Sequence, residues 1–165
     1  MGVIVVELTN RCNLACGHCL PGRHGGGEHL PLEALSAVLR DGAALGFDRL
    51  SFTGGEPTMH PQFGEVLRRT DEAGYRFGIV TNGWNFGSVY AKLLEHRNAL
   101  TAITFSLDGA TEAAHDRLRG AGSYRRVLKA FSICVAMEIP FTINMSITGW
   151  NRDELEPMAA LAAKL

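Results

Sequence analysis

Short β-rich runs alternate with amphipathic stretches along the whole chain, and that rhythm restricts the fold more than any other feature of the sequence. The runs cover residues 3–8, 49–53, 76–81, 102–107 and 141–148. Between them, apolar residues recur at helical spacing: Leu35, Val38, Leu39 and Leu45; Phe63, Val66 and Leu67; Val89, Leu93 and Leu94; Val127, Leu128, Phe131 and Val135. Such spacing lays an apolar stripe along one face of a helix. Residues 152–165 begin a further helical pattern. Strand alternating with helix predicts βα units and a parallel sheet. Right-handed crossovers then leave an open doubly wound sheet or a barrel.

Side-chain parity separates these two architectures, because alternate residues of a strand face opposite sides. Ile103, Phe105 and Leu107 oppose Thr104, Ser106 and Asp108; Phe141, Ile143, Met145 and Ile147 oppose Thr142, Asn144, Ser146 and Thr148. Ile4, Val6 and Leu8 oppose Glu7 and Thr9, and Leu50 and Phe52 oppose Ser51 and Thr53. A sheet covered by helices on both faces reads as almost continuously apolar. Here one face is apolar and the other turns polar toward the strand's C-terminal end. That suits the inside of a barrel holding a polar ligand. We therefore expect an α/β fold, a partial (β/α) barrel of about five parallel βα units, forming a single domain over residues 1–165. A full barrel of eight strands takes roughly 250 residues, so the expectation is an open barrel, incomplete at the C-terminus. Gly25-Gly26-Gly27 reads as a loop within the domain.

Charge and hydropathy narrow the partners. Lys and Arg number 16 against 17 Asp and Glu, a formal net charge of -1. That balance gives no electrostatic case for nucleic acid or an anionic membrane. No apolar run approaches the roughly 20 residues that span a bilayer, and the N-terminal run is too short for a signal peptide. Met1-Gly2 starts a myristoylation pattern, but Val6 stands where Ser or Thr is wanted. The chain reads as cytoplasmic, and its four cysteines as thiols or metal ligands.

Cys12, Cys16 and Cys19 form C-x3-C-x2-C directly after the first run. Thiolates favour zinc, copper(I) or iron–sulfur clusters. A structural zinc and an all-cysteine iron–sulfur cluster both want four ligands. His18 or His24 can complete a zinc site. Cys134 lies about 115 residues away in an apolar helix face and reads as a buried small hydrophobe. Three thiolates in one loop suggest a [4Fe–4S] cluster with one iron left open. A zinc-binding structural module, and a non-catalytic electron-transfer protein using Cys134, stand as alternatives.

The segment Cys-Asn-Leu-Ala-Cys-Gly-His-Cys over residues 12–19 resembles the cluster loop of the radical S-adenosylmethionine (SAM) enzymes. It is followed in order by Gly54-Gly55-Glu56-Pro57, Thr81-Asn82-Gly83 and Ser106-Leu107-Asp108-Gly109. The series is similar to that family along most of the chain. The look is nearest to members that carry a C-terminal cysteine-rich (SPASM-type) domain and modify peptides or tetrapyrroles, and to the molybdopterin-pathway cyclase.

The resemblance implies that Cys12, Cys16 and Cys19 hold a [4Fe–4S] cluster and that SAM chelates its open iron. A low-potential donor such as flavodoxin or ferredoxin then supplies the electron that breaks the S–C5′ bond. The resulting 5′-deoxyadenosyl radical takes hydrogen from a substrate, a peptide as first choice or else a small molecule. It also implies that the backbone of Gly54 and Gly55 meets the SAM ammonium, with Glu56 adding a carboxylate beside that cation. Ser106, Asp108 and Asn144 offer short polar groups to the ribose or carboxylate of SAM; read from the residues alone, they equally suit an internal hydrogen-bond network. Asn82 is either a lumen residue or the left-handed residue of an Asn-Gly turn. The resemblance places His18 where an aromatic residue stacks near the adenine; a zinc ligand and plain loop surface are its other readings. His24, His29 and His60 read as surface, Arg119 as a helix-entry salt bridge, and Arg117, Arg125, Arg126 and Lys129 as a solvated face. Ordinary packing is expected for Trp84 and Trp150.

Overall fold

The apolar stripes meet the apolar strand faces, and the sheet is what they cover. The structure is a computed structural model that describes residues 2–19 and 27–165. Gly25 and Gly26 of the glycine triplet lie outside the described residues. In chain order the elements are β1 (Ile4–Thr9), α1 (Leu32–Ala44), β2 (Arg49–Gly54), α2 (Phe63–Glu72), β3 (Arg76–Thr81) and α3 (Phe86–Glu95). Then come β4 (Leu100–Ser106), α4 (Glu112–Arg119), α5 (Ser123–Ala136), β5 (Phe141–Asn144) and α6 (Leu155–Ala162). Single 3-10 turns occupy Pro57–Met59 and Arg152–Glu154.

All four strand pairings are parallel, and the order is β1-β2-β3-β4-β5. An order that never reverses is that of a barrel wall; a doubly wound sheet changes direction at a switch point. Parity behaves as the sequence predicts. Leu8, Phe52, Phe77, Ile103 and Phe105 are fully buried beneath the helices. On β4 the rings continue outward, Phe86 edge-on to Phe105 at 5.1 Å and Phe105 edge-on to Phe131 at 5.3 Å. Burial of such side chains contributes roughly 1.5–3 kcal/mol each, which fixes the strands whose other face forms the site. Among the described residues no helix is long and apolar enough to cross a membrane.

Two elements differ from the sequence expectation. The helix α4 lies where no helix was expected. Its start is set by Thr111, whose hydroxyl accepts the Ala114 N–H at 3.3 Å, an ordinary N-cap bond. The fifth strand stops at Asn144 instead of running to 148. Beyond it the backbone is claimed by side chains: Ser146 N–H donates to Asp108 Oδ1 at 2.8 Å, and Thr148 N–H to Asn151 Oδ1 at 2.6 Å. Asn151 Nδ2 in turn donates to the carbonyls of Ser146 and Asp108, both at 2.9 Å. Those bonds replace the ladder and turn the chain over the end of β4.

Candidate functional site

The polar ends of the strands and the cysteine loop enclose one cavity of about 270 Å3. Cys12, Cys16, His18 and Cys19 line it from the loop, Thr53, Gly54 and Gly55 from the end of β2, and Thr81 and Asn82 from β3. Ser106 closes it from β4 and Arg119 from the last position of α4.

The glycine pair holds the loop in place. Gly54 has φ +135°, and a Cβ there would stand 2.3 Å from the Thr9 carbonyl oxygen. A Cβ on Gly55 would stand 2.4 Å from the Arg11 carbonyl oxygen. The missing side chains let Gly55 N–H donate to Thr9 O at 2.7 Å and Glu56 N–H to Arg11 O at 2.8 Å. Close backbone approach is what glycine provides. Here the backbone approached is the chain entering the cysteine loop. On the loop's far side, Gly17 N–H donates to Leu118 O of α4 at 2.8 Å.

Three residues expected at the SAM site are not in the cavity lining. Glu56 is fully buried and does not line the cavity. Its Oε1 accepts the Thr58 and Thr81 hydroxyls at 2.6 and 2.7 Å, and its Oε2 accepts the Asn82 N–H at 2.8 Å. Burial pushes this carboxyl up, and those bonds oppose the rise. Asp108 is likewise fully buried. It accepts Arg119 Nε at 2.5 Å and Ser146 N–H at 2.8 Å, and His18 Nε2 lies 3.6 Å away. Asn144 pairs with Ser106 in register, faces the same side and is exposed on the edge strand.

Asn82 is the lumen residue of its two readings. The left-handed residue of the Asn-Gly pair is Gly83, φ +76°; Asn82 has no positive φ. Its side chain donates to Asn13 Oδ1 at 3.0 Å and to Cys12 Sγ at 3.7 Å. The Cys12 thiol is pushed up by burial, with the Leu14 N–H opposing. Cys16 is pushed up by burial too, with the Arg119 charge opposing. Arg119 forms a salt bridge, with Asp108, but from the last position of α4 and not at a helix entry, and it lines the cavity wall. The polar parity of Asp108 was the signal available. A buried carboxylate at a strand end needs a cationic partner, and Arg119 is eleven residues on.

The remaining residues sort as follows. His18 lines the cavity, and its Nδ1 is buried without a partner among the described residues. Burial lowers its pKa. His24 lies outside the described residues. His29 is half-buried and His60 buried, not surface. His60 Nε2 bonds Leu30 O at 3.0 Å and Nδ1 accepts the Gln62 N–H at 3.2 Å, so it staples the segment following the loop. Cys134 sits in the core, its thiol pushed up to about 12 by burial. Trp84 packs under Arg126 as expected of an ordinary contact. Trp150 stays 63% exposed rather than packed, with the Arg117 guanidinium 5.5 Å over its ring.

Three thiols line the one cavity, a donor set that fits an iron–sulfur cluster. A four-iron cube takes each thiolate on a different iron, so thiols spread around one cavity fit it.

Comparison with known proteins agrees. The family model for the radical SAM superfamily matches residues 6–162. The chain is 33% identical over 165 residues to the PqqA peptide cyclase of Ruegeria pomeroyi, covering 98% of this chain and 44% of that protein. It is 30% identical to the AdoMet-dependent heme synthase of Methanosarcina barkeri, covering 99% and 47%, and 32% identical to mycofactocin maturase MftC of Mycobacterium ulcerans, covering 94% and 42%. The chain thus spans less than half the length of these relatives. Its fold superposes on Streptococcus suis SuiB bound to the precursor peptide SuiA with a TM-score of 0.83 at 20% identity, covering 98% of this chain and 36% of SuiB. Members of the matched family bind a [4Fe–4S] cluster and SAM. The cysteine loop, the sheet order and the matched span agree on one conclusion: this chain belongs to the radical SAM superfamily.

Proposed function

We propose that this chain is the core of a radical SAM enzyme that acts on a peptide. The observation carrying the reading is that three thiols, two glycines, a serine and an arginine from four separate segments line one cavity. Cys12, Cys16 and Cys19 would hold the [4Fe–4S] cluster. Gly54 and Gly55 would offer backbone to the SAM amino group, and Ser106 a hydroxyl. Arg119 meets Asp108 through Nε, and a guanidinium has further N–H donors for the SAM carboxylate. Asp108 and Glu56 act one step back: the first orients Arg119, the second ties the end of β2 to the end of β3. His18, with an unpartnered Nδ1 in the wall, would meet the adenine. Asn144 would extend the polar rim. When bound, the cluster and SAM supply reductive cleavage of SAM to a 5′-deoxyadenosyl radical that abstracts hydrogen from substrate.

The peptide assignment rests on the peptide cyclase, the maturase and peptide-bound SuiB among the relatives and neighbours. The electron donor would be a low-potential flavodoxin or ferredoxin, and free thiols fit a cytoplasmic setting. The test is anaerobic reconstitution with iron and sulfide, followed by SAM and dithionite. The reading predicts a brown protein with about four irons per chain that releases 5′-deoxyadenosine. A folded chain that takes one zinc, shows no visible absorption and releases no nucleoside contradicts it.

A further inference from the structure

Asn82 stands out within the site because every polar atom of its side chain is used. Nδ2 donates to Asn13 Oδ1 at 3.0 Å and to Cys12 Sγ at 3.7 Å, and Oδ1 accepts the Trp84 N–H at 2.9 Å. The Trp84 backbone N–H is a donor in any arrangement, so the amide edge facing it is the oxygen. The nitrogen is thereby turned to the sulfur, and its two hydrogens match its two acceptors. The backbone behind is held as firmly, since Asn82 N–H donates to the buried Glu56 Oε2 at 2.8 Å. Cys12 Sγ accepts a second bond, from Leu14 N–H at 3.4 Å. Among the described residues no hydrogen bond reaches the sulfur of Cys16 or Cys19. Among the described residues, Asn82 thus supplies one of the two hydrogen bonds to Cys12 Sγ.

We infer that Asn82 is a positioning residue that raises the reduction potential of the metal centre held through Cys12. The inference rests on the cluster assignment proposed above. A thiolate that accepts N–H bonds carries less negative charge, so an added electron on the metal it binds meets less repulsion. The couple is a one-electron reduction by the external low-potential donor, with no proton required. Glu56 acts through Asn82: it anchors the backbone from which the amide reaches the sulfur. A merely structural Asn82, closing the turn to Trp84, would change stability and leave the potential where it is.

The test is a mediated dithionite titration of the anaerobically reconstituted holoprotein, with the midpoint followed by electron paramagnetic resonance. Asn82→Leu keeps the volume and removes both donors. It is expected to be roughly tenfold harder to reduce, a downward shift of about 59 mV for one electron. Asn82→Asp is isosteric, replaces the donor with a charged acceptor, and shifts at least as far in the same direction; it carries the test if Asn82→Leu does not fold. Asn13→Ala keeps the donor to Cys12 and moves the midpoint by less than a third as much. Val127→Ala, in the core against Gly83, lowers stability and leaves the midpoint unchanged. Unchanged midpoints in both Asn82 variants, with intact four-iron spectra, would overturn the inference and leave the cluster assignment standing. A wild type that shows no cluster signal defeats the assignment itself.

Discussion

Two buried carboxylates, Glu56 and Asp108, set the geometry of the cavity wall without lining it. Losing one partner of a buried ion pair costs roughly 3–5 kcal/mol. Asp108→Ala is expected to lower stability by that order in urea denaturation and to weaken SAM binding by calorimetry, because Arg119 loses its anchor. Asp108→Asn, which keeps an acceptor, should lose less. The four thiols separate more sharply. Replacing Cys12, Cys16 or Cys19 by Ala should abolish the iron content of the reconstituted chain. Cys134→Ala should keep the iron and cost about 1 kcal/mol of core packing.

His115 gives a pH signature. It is fully buried beside Tyr124, its Nδ1 accepting the Asp108 N–H at 3.0 Å. Burial lowers its pKa to about 4, the Arg119 charge adds to that, and the Asp108 and Asp116 carboxylates oppose. The unfolded chain therefore binds a proton that the folded chain refuses between pH 6.5 and 4. This contribution is full above about pH 6.5 and lost as pH falls toward 4. Thermal denaturation should show His115→Asn flattening the decline over that window. The three clustered cysteines were legible from spacing alone. The fate of Glu56 and Asp108 was not, because parity names the face of a strand, whereas the donors that capture a carboxylate come from segments 25 and 11 residues away.

At the scale of elements, the glycine pair shows why a motif and its cause can differ. Gly54-Gly55 was read as backbone open to a ligand. It lines the cavity, and it is also the contact that fastens the cysteine loop to β2. Gly55→Ala would press a methyl against the Arg11 carbonyl at 2.4 Å. Overpacking against backbone costs about 1–3 kcal/mol, so the variant should melt earlier and, by iron analysis, take up less cluster. The strands and most helices were legible because their apolar periodicity is set by the sheet they cover. The helix α4 was not, since its eight residues carry few apolar positions and its start depends on one capping hydroxyl. The early end of β5 was equally hidden, because it depends on Asn151 and Asp108 reaching the backbone of residues 146–148.

For the whole molecule, five parallel strands in unbroken order present one continuous polar rim, and the cysteine loop caps it at the β1 end. The other end, at β5, is an edge strand with Asn144 and Thr142 exposed. The proposed cluster on Cys12, Cys16 and Cys19 leaves one iron open to SAM. Electron paramagnetic resonance of the anaerobically reduced, reconstituted chain, recorded before and after SAM is added, tests it most directly. The expected result is a four-iron signal whose g-values change on adding SAM, and that is absent from the Cys16→Ala protein. A signal indifferent to SAM in a folded, fully loaded sample would contradict it.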